Sequence, residues 1–185
     1  MTPDLNISAD KAILEPSDES TGGVAVRLGF LSVRGFSADL AFEIAAGGPY
    51  EDLEQLSRST AVSQKQLEAL ATAGAFGCFD LGRREALWAV GAISQSRSDR
   101  LRGVVTGAFA PALPGMSLQD EAISDLWATG IAPDGHPTKF IRRELKDEGV
   151  LTAVDLLDCE LGKVKVAGVV THRQRPATAS GTVFE

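Results

Sequence analysis

The sequence predicts a mainly α chain with a short β stretch near its C-terminal end, and three observations carry this. Capping residues stand ahead of apolar positions three and four apart, as at Ser37, Ser63 and Ser117. Glycine and proline punctuation closes those stretches at Gly47-Gly48-Pro49, Gly74 and Gly149. Only beyond Gly162 does the pattern change, to the alternating β-branched run Lys163-Val164-Lys165-Val166-Ala167-Gly168-Val169-Val170.

The elements follow in order. Residues 1–25 carry no helical period and end near the turn-rich cluster Pro16-Ser17-Asp18-Glu19-Ser20-Thr21-Gly22-Gly23. The apolar stretch 24–33 is too short to type by period. Val33-Arg34-Gly35-Phe36-Ser37 reads as a tight turn leading into a helix with Leu40 and Ile44 on its inner face. A second short helix covers 50–58. A third opens on the capping-box pattern Ser63-Gln64-Lys65-Gln66 and turns Leu67, Leu70 and Ala71 inward. A helix over 83–93 is expected to bury Leu87 and Val90, with Trp88 and Trp127 read as core residues. Arg83 and Arg84 at its start oppose the helix dipole and ask for a partner, an acid or a phosphate. Residues 94–116 read as an extended linker. Ser117 caps a helix through 127, and Pro137 opens another that carries Phe140, Ile141 and Leu145 inward and ends at Gly149. Thr152 caps a further turn, and residues 181–185 start a last strand.

With 185 residues, one domain or little more is expected, and 44% hydrophobic against 23% charged residues is ordinary for a soluble globular chain. The net charge of −7 excludes a basic shell over the whole molecule but leaves room for local patches. Two windows qualify. Arg83, Arg84, Arg97, Arg100 and Arg102 face only Glu85 and Asp99, and Lys163, Lys165, His172, Arg173 and Arg175 have no acid among them. Both fit a phosphate backbone or plain solvated charge equally. No apolar run is long enough for a membrane helix, the first residues do not form a secretory signal, and Cys78 and Cys159 match no metal or redox spacing. A cytoplasmic protein with reduced thiols is expected.

The sequence offers little chemistry. It has no Walker loop, no G-x-S-x-G elbow, no H-E-x-x-H and no Asp-x-Asp pair, so no catalytic or metal-binding residue is assigned. His136, between Gly135 and Pro137, reads as structural or capping, and Cys78 as a small core residue. The turn at 33–37 is more informative. A glycine hairpin before a helix points successive backbone N–H groups outward, a geometry that holds a phosphate oxygen without reading a base.

Taken together, several segments resemble bacterial C-family replicative DNA polymerase alpha subunits, most closely the error-prone, translesion branch. They are Val26-Arg27-Leu28-Gly29-Phe30, Val33-Arg34-Gly35, Leu67-Glu68-Ala69-Leu70-Ala71-Thr72-Ala73-Gly74-Ala75-Phe76 and Arg83-Arg84-Glu85-Ala86-Leu87-Trp88. Leu113-Pro114-Gly115-Met116, Asp125-Leu126-Trp127-Ala128-Thr129-Gly130, His136-Pro137 and Val169-Val170-Thr171-His172-Arg173-Gln174-Arg175-Pro176-Ala177-Thr178 complete the match.

The resemblance implies a C-terminal polymerase fragment. Its parts would be an extended N-terminal segment (1–25), a tandem helix-hairpin-helix DNA-binding region (26–110), a helical connector (111–162) and the first strands of a truncated OB-fold (163–185). It also implies backbone contact to DNA by Arg34, Gly35, Phe36 and Ser37 in the first hairpin and by Gly74 and Ala75 in the second. Arg83, Arg84, His172, Arg173 and Arg175 join them as basic candidates. Where the family commonly carries a second glycine, this chain has Ser37.

The parent activity would be magnesium-dependent, template-directed nucleotidyl transfer in damage-tolerant repair synthesis. This stretch would be inactive alone and hold no cofactor. Its partners would be DNA without sequence preference, the rest of the polymerase and other translesion-synthesis proteins, with no membrane. The alternative is a protein-interaction scaffold that docks translesion partners and binds little DNA. A stand-alone small-molecule enzyme has no supporting constellation.

Overall fold

A computed structural model describes residues 1–94 and 110–170. Expectations for the linker, for Arg97, Arg100 and Arg102, for His172, Arg173 and Arg175, and for a strand at 181–185 therefore lie wholly or mainly outside the described residues. The chain divides into two compact units, Met1–Gly135 and His136–Glu185. Among the described residues it is mainly helical, with one two-stranded antiparallel sheet.

The first unit opens on a hairpin that the sequence pattern does not reveal. Strands β1 (Ile13–Pro16) and β2 (Val24–Arg27) pair with Leu14 opposite Val26. Four-residue strands are too short to register a period of two. A cross-strand ion pair ties them: Arg27 donates to both Glu15 oxygens at 2.5 and 2.7 Å, and this holds the Glu15 carboxyl below its ordinary range. Residues before the hairpin reach the core, where Leu5 is buried and its N–H donates to Ala75 O. Gly29 lies against the Lys11 backbone so closely that a Cβ would fall inside it.

The helices follow the capping signals. Helix α1 (Ala38–Gly47) is capped by Ser37, whose Oγ accepts from Leu40 N–H, and it buries Leu40, Ala41 and Ile44. Helix α2 (Leu53–Ser59) starts at Asp52, whose side chain accepts from Gln55 N–H. Helix α3 (Gln64–Thr72) carries the full Ser63–Gln66 capping box and buries Leu67, Leu70 and Ala71 as expected. Its chain reverses at Gly74, with φ +80. Helix α4 (Arg83–Ser94) packs on α3, and α5 (Leu118–Thr129), opened by a Ser117–Asp120 capping box, packs on α3 as well.

Two expectations about inward faces need correcting. On α4 the buried stripe is Ala86, Ala89, Val90 and Ile93, so Leu87 and Trp88 are exposed. On α5 it is Ala122, Asp125 and Ala128, which leaves Trp127 half exposed. The stripes are dominated by small residues, which let helices approach closely. A residue one position away is rotated about 100° off the contact. Cys78 likewise lies on the surface, in a 3-10 turn at Gly77–Phe79, and not in the core.

In the second unit the expected helix after Pro137 is broken. A 3-10 turn at Pro137–Lys139, capped by the His136 ring, precedes α6 (Arg142–Asp147). Ile141 between them has φ −107 and ψ 15 and is exposed rather than inward. The next turn, Asp155–Leu157, has Val154 rather than Thr152 at its N-cap, and Thr152 instead exchanges a reciprocal pair of bonds with Asp155. The expected strand at 163–170 is reduced to a single parallel bridge between Val150 and Lys165; Val150 is buried, whereas residues 163–170 are all exposed. β-branched residues favour a strand only where a partner completes the ladder. Among the described residues Leu151 N–H to Lys165 O is the backbone bond made there.

Candidate functional site

The first glycine turn sits between a 3-10 turn at Phe30–Ser32 and α1. Phe30 and Val33 are buried and anchor it, while Arg34, Gly35 and Ser37 are exposed and Phe36 packs against the core edge. Gly35 has φ +81, a conformation that L residues with a Cβ rarely adopt, and open space lies where a Cβ would point. Its carbonyl accepts from Gln66 Nε2 at 2.9 Å, and the N–H of the same peptide, that of Phe36, donates to Val33 O at 3.2 Å. The N–H groups of Gly35, Ser37, Ala38 and Asp39 meet no acceptor among the described residues. Arg34 N–H, by contrast, donates to Ala128 O at 2.7 Å. The exposed turn therefore presents backbone donors at the positive end of a ten-residue helix, with a guanidinium beside them. Asp39 in the first turn of α1 opposes an anion there.

The second glycine turn is closed on itself. Ala73 N–H donates to Ala69 O, Gly74 N–H to Ala71 O and Ala75 N–H to Leu70 O, all within 3.1 Å. Ala73 and Ala75 are fully buried, and Leu5 covers the turn from outside. Gly74 and Ala75 thus have no backbone donor left to offer.

Arg83 finds its partner inside the protein. Its guanidinium lies 2.7 Å from Asp125 Oδ1, off the ideal hydrogen-bond direction, and donates to Thr72 O and Glu121 O at 3.0 and 3.1 Å. It thereby closes the C-terminal end of α3, where a cation is favoured, and joins α4 to α5. Burial raises the Asp125 carboxyl above its ordinary range, and Arg83 works in the opposite direction. Of the two alternatives left open for the arginines at this helix start, Arg83 takes the acid. Arg84 is half-buried and donates to Pro114 O at 2.9 Å.

One contact was not anticipated. The Arg34 guanidinium lies over the Trp127 ring, 4.8 Å from its centroid. The site residues that the structure brings together are thus Arg34–Ser37 with Trp127 and Gln66. Arg83 and Arg84 form a separate group at the α4 start, and His172, Arg173 and Arg175 lie outside the described residues. Among the described residues no three His, Cys, Asp or Glu side chains cluster as a metal site, and no helix is long and apolar enough to cross a membrane.

Comparison with known proteins matches residues 1–86 to the helix-hairpin-helix motif family. Over 98% of its length the chain is 49% identical to the error-prone DNA polymerase of Mycolicibacterium paratuberculosis and 48% to that of Mycobacterium tuberculosis. The error-prone DNA polymerase of Nocardia farcinica is 45% identical over the same share. The chain spans 17% of the length of each of these relatives. Across nearly its whole length, this chain is similar to a stretch of bacterial error-prone DNA polymerases, and its first 86 residues match the helix-hairpin-helix motif family.

Proposed function

We propose that this stretch grips the DNA backbone through the Arg34–Ser37 turn, within a polymerase whose nucleotidyl transfer on damaged templates is carried out elsewhere in the protein. The observation that carries the reading is the exposed turn with Gly35 at φ +81, its N–H and those of Ser37, Ala38 and Asp39 without an acceptor among the described residues, and Arg34 alongside. Backbone donors bind phosphate oxygens without reading bases, so the grip is sequence-independent and needs no metal ion. The net charge of −7 and Asp39 oppose DNA, which keeps the affinity in the nonspecific range, about 10⁻⁴ to 10⁻⁶ M. The helix-hairpin-helix match over residues 1–86 supports the same assignment. The second turn, with its N–H groups spent internally, serves packing.

Fluorescence anisotropy with labelled duplexes of unrelated sequence, titrated from low to moderate salt, tests the proposal. Similar affinities for all duplexes, falling with salt, are expected. Arg34→Ala should lower the slope of log K against log salt by up to about one unit, the loss of one phosphate contact. Salt-independent binding, or none at low salt, would overturn the reading in favour of a protein-docking scaffold. Primer extension by the purified chain should stay at background.

A further inference from the structure

The exposed guanidinium that the proposed grip relies on is not free to wander. Arg34 is fixed twice from α5: its N–H donates to Ala128 O at 2.7 Å, and its side chain lies over the Trp127 ring at 4.8 Å. The two contacts come from consecutive residues of one helix, whose inner stripe Ala122, Asp125 and Ala128 is buried in the same unit as the turn. Trp127 itself is 48% exposed, turned outward beside the buried stripe of α5. A flat aromatic face beneath a guanidinium holds the cation by its quadrupole while leaving the N–H edge open to an anion.

We infer that Trp127 is a positioning residue that orders Arg34 for contact with a DNA phosphate, so that α5 forms part of the grip without touching DNA. This inference rests on the reading of the Arg34–Ser37 turn as a backbone grip. An unrestrained arginine loses rotamer freedom when it binds, and an arginine already laid on a ring has surrendered part of it. Trp127 then acts on affinity only through Arg34.

A double-mutant cycle tests this by duplex anisotropy at low salt, with Trp127→Ala, Trp127→Phe, Arg34→Ala and the Trp127→Ala/Arg34→Ala pair. Trp127→Ala is expected to weaken binding about two- to fivefold. Trp127→Phe should restore most of that, and Trp127→Ala should have no further effect once Arg34 is alanine. A merely structural role predicts the same loss with or without Arg34, and that result would overturn the inference. Equal binding by Trp127→Ala and the parent would do so too. The two readings fail differently: if Arg34→Ala binds and responds to salt like the parent, the grip itself is wrong. A second readout uses Trp127 itself. In Trp88→Phe protein, shown by far-UV circular dichroism to keep the parent's helicity, Trp127 is the sole indole, and saturating duplex should change its fluorescence with Arg34 present and not in the Arg34→Ala background; an equal change in both would overturn the inference.

Discussion

Arg83 and Asp125 meet at 2.7 Å with side chains only 11% and 3% exposed, and the contact joins the start of α4 to the middle of α5. Charges this far from water are costly unless paired, and Arg83 offsets the cost further by donating to two carbonyls. Asp125 stands on the buried face of α5, between Ala122 and Ala128 at three-residue spacing. A lone acid on an otherwise apolar stripe is itself a sequence signal for a buried cation.

The pair makes an ordered prediction. Arg83→Met strands a buried carboxylate and should cost about 3–5 kcal/mol of unfolding free energy at neutral pH. Asp125→Asn should cost less, because Arg83 keeps Thr72 O and Glu121 O. Arg83→Met/Asp125→Asn should be more stable than Arg83→Met alone. The pH dependence follows from the raised Asp125 pKa: its native-state preference for the protonated form is fully expressed below the unfolded value and lost as pH rises through the folded one. Removing Arg83 raises the folded value further, so the deficit of Arg83→Met should shrink as pH falls from 7 toward 5. Urea denaturation of the three variants at both pH values measures this, and a deficit that grows on acidification would contradict it.

Gly29 is fixed by space rather than by φ, which is an unexceptional −90. A Cβ there would enter the Lys11 backbone, and backbone does not step aside as a flexible side chain does. Gly29→Ala should therefore destabilise the first unit by about 1–3 kcal/mol. Gly22→Ala in the hairpin turn, where nothing lies within 4 Å, should change stability by less than about 0.5 kcal/mol. Thermal denaturation of the two variants side by side decides the matter.

Local chemistry made the helices legible, because caps and glycine stops act within a few residues: Ser37, Ser63 and Ser117 all cap as their neighbours suggest. Which face turns inward was less legible. Trp88 and Trp127 are the bulkiest apolar residues of α4 and α5, yet alanine stripes make the contacts and leave the indoles outside. The Arg34–Trp127 and Arg83–Asp125 pairs join residues 93 and 42 positions apart. Neither pairing has a local signature, although the placement of Arg83 at a helix start showed that it needed a partner. The 13–27 hairpin was hidden by its shortness, and its Glu15–Arg27 pair forms only once the register is set.

Asp39 sets stability against the proposed grip. An acid in the first turn of α1 favours the helix dipole by about 0.3–1 kcal/mol and repels a phosphate at the same end. Asp39→Asn should thus lower the melting temperature slightly while tightening duplex binding at low salt. The gain should fade as salt screens the charge. Unchanged or weaker binding by a folded Asp39→Asn protein would place the DNA contact away from this helix end.

The Gly35 conformation separates backbone geometry from charge. Its φ of +81 is accessible to asparagine at modest cost and hostile to a β-branched residue, while the space around it is open. Gly35→Val therefore meets no side-chain clash and acts by forcing the turn out of its left-handed conformation, which reorients the unbonded N–H groups. It should weaken duplex binding several-fold with net charge unchanged. Gly35→Asn, which keeps the left-handed turn, should bind close to the parent. Far-UV circular dichroism must first show that both variants retain the parent's helicity. Equal binding by Gly35→Val and the parent at low salt would make the turn purely structural, since no other property of the phosphate contact separates the two substitutions as φ does.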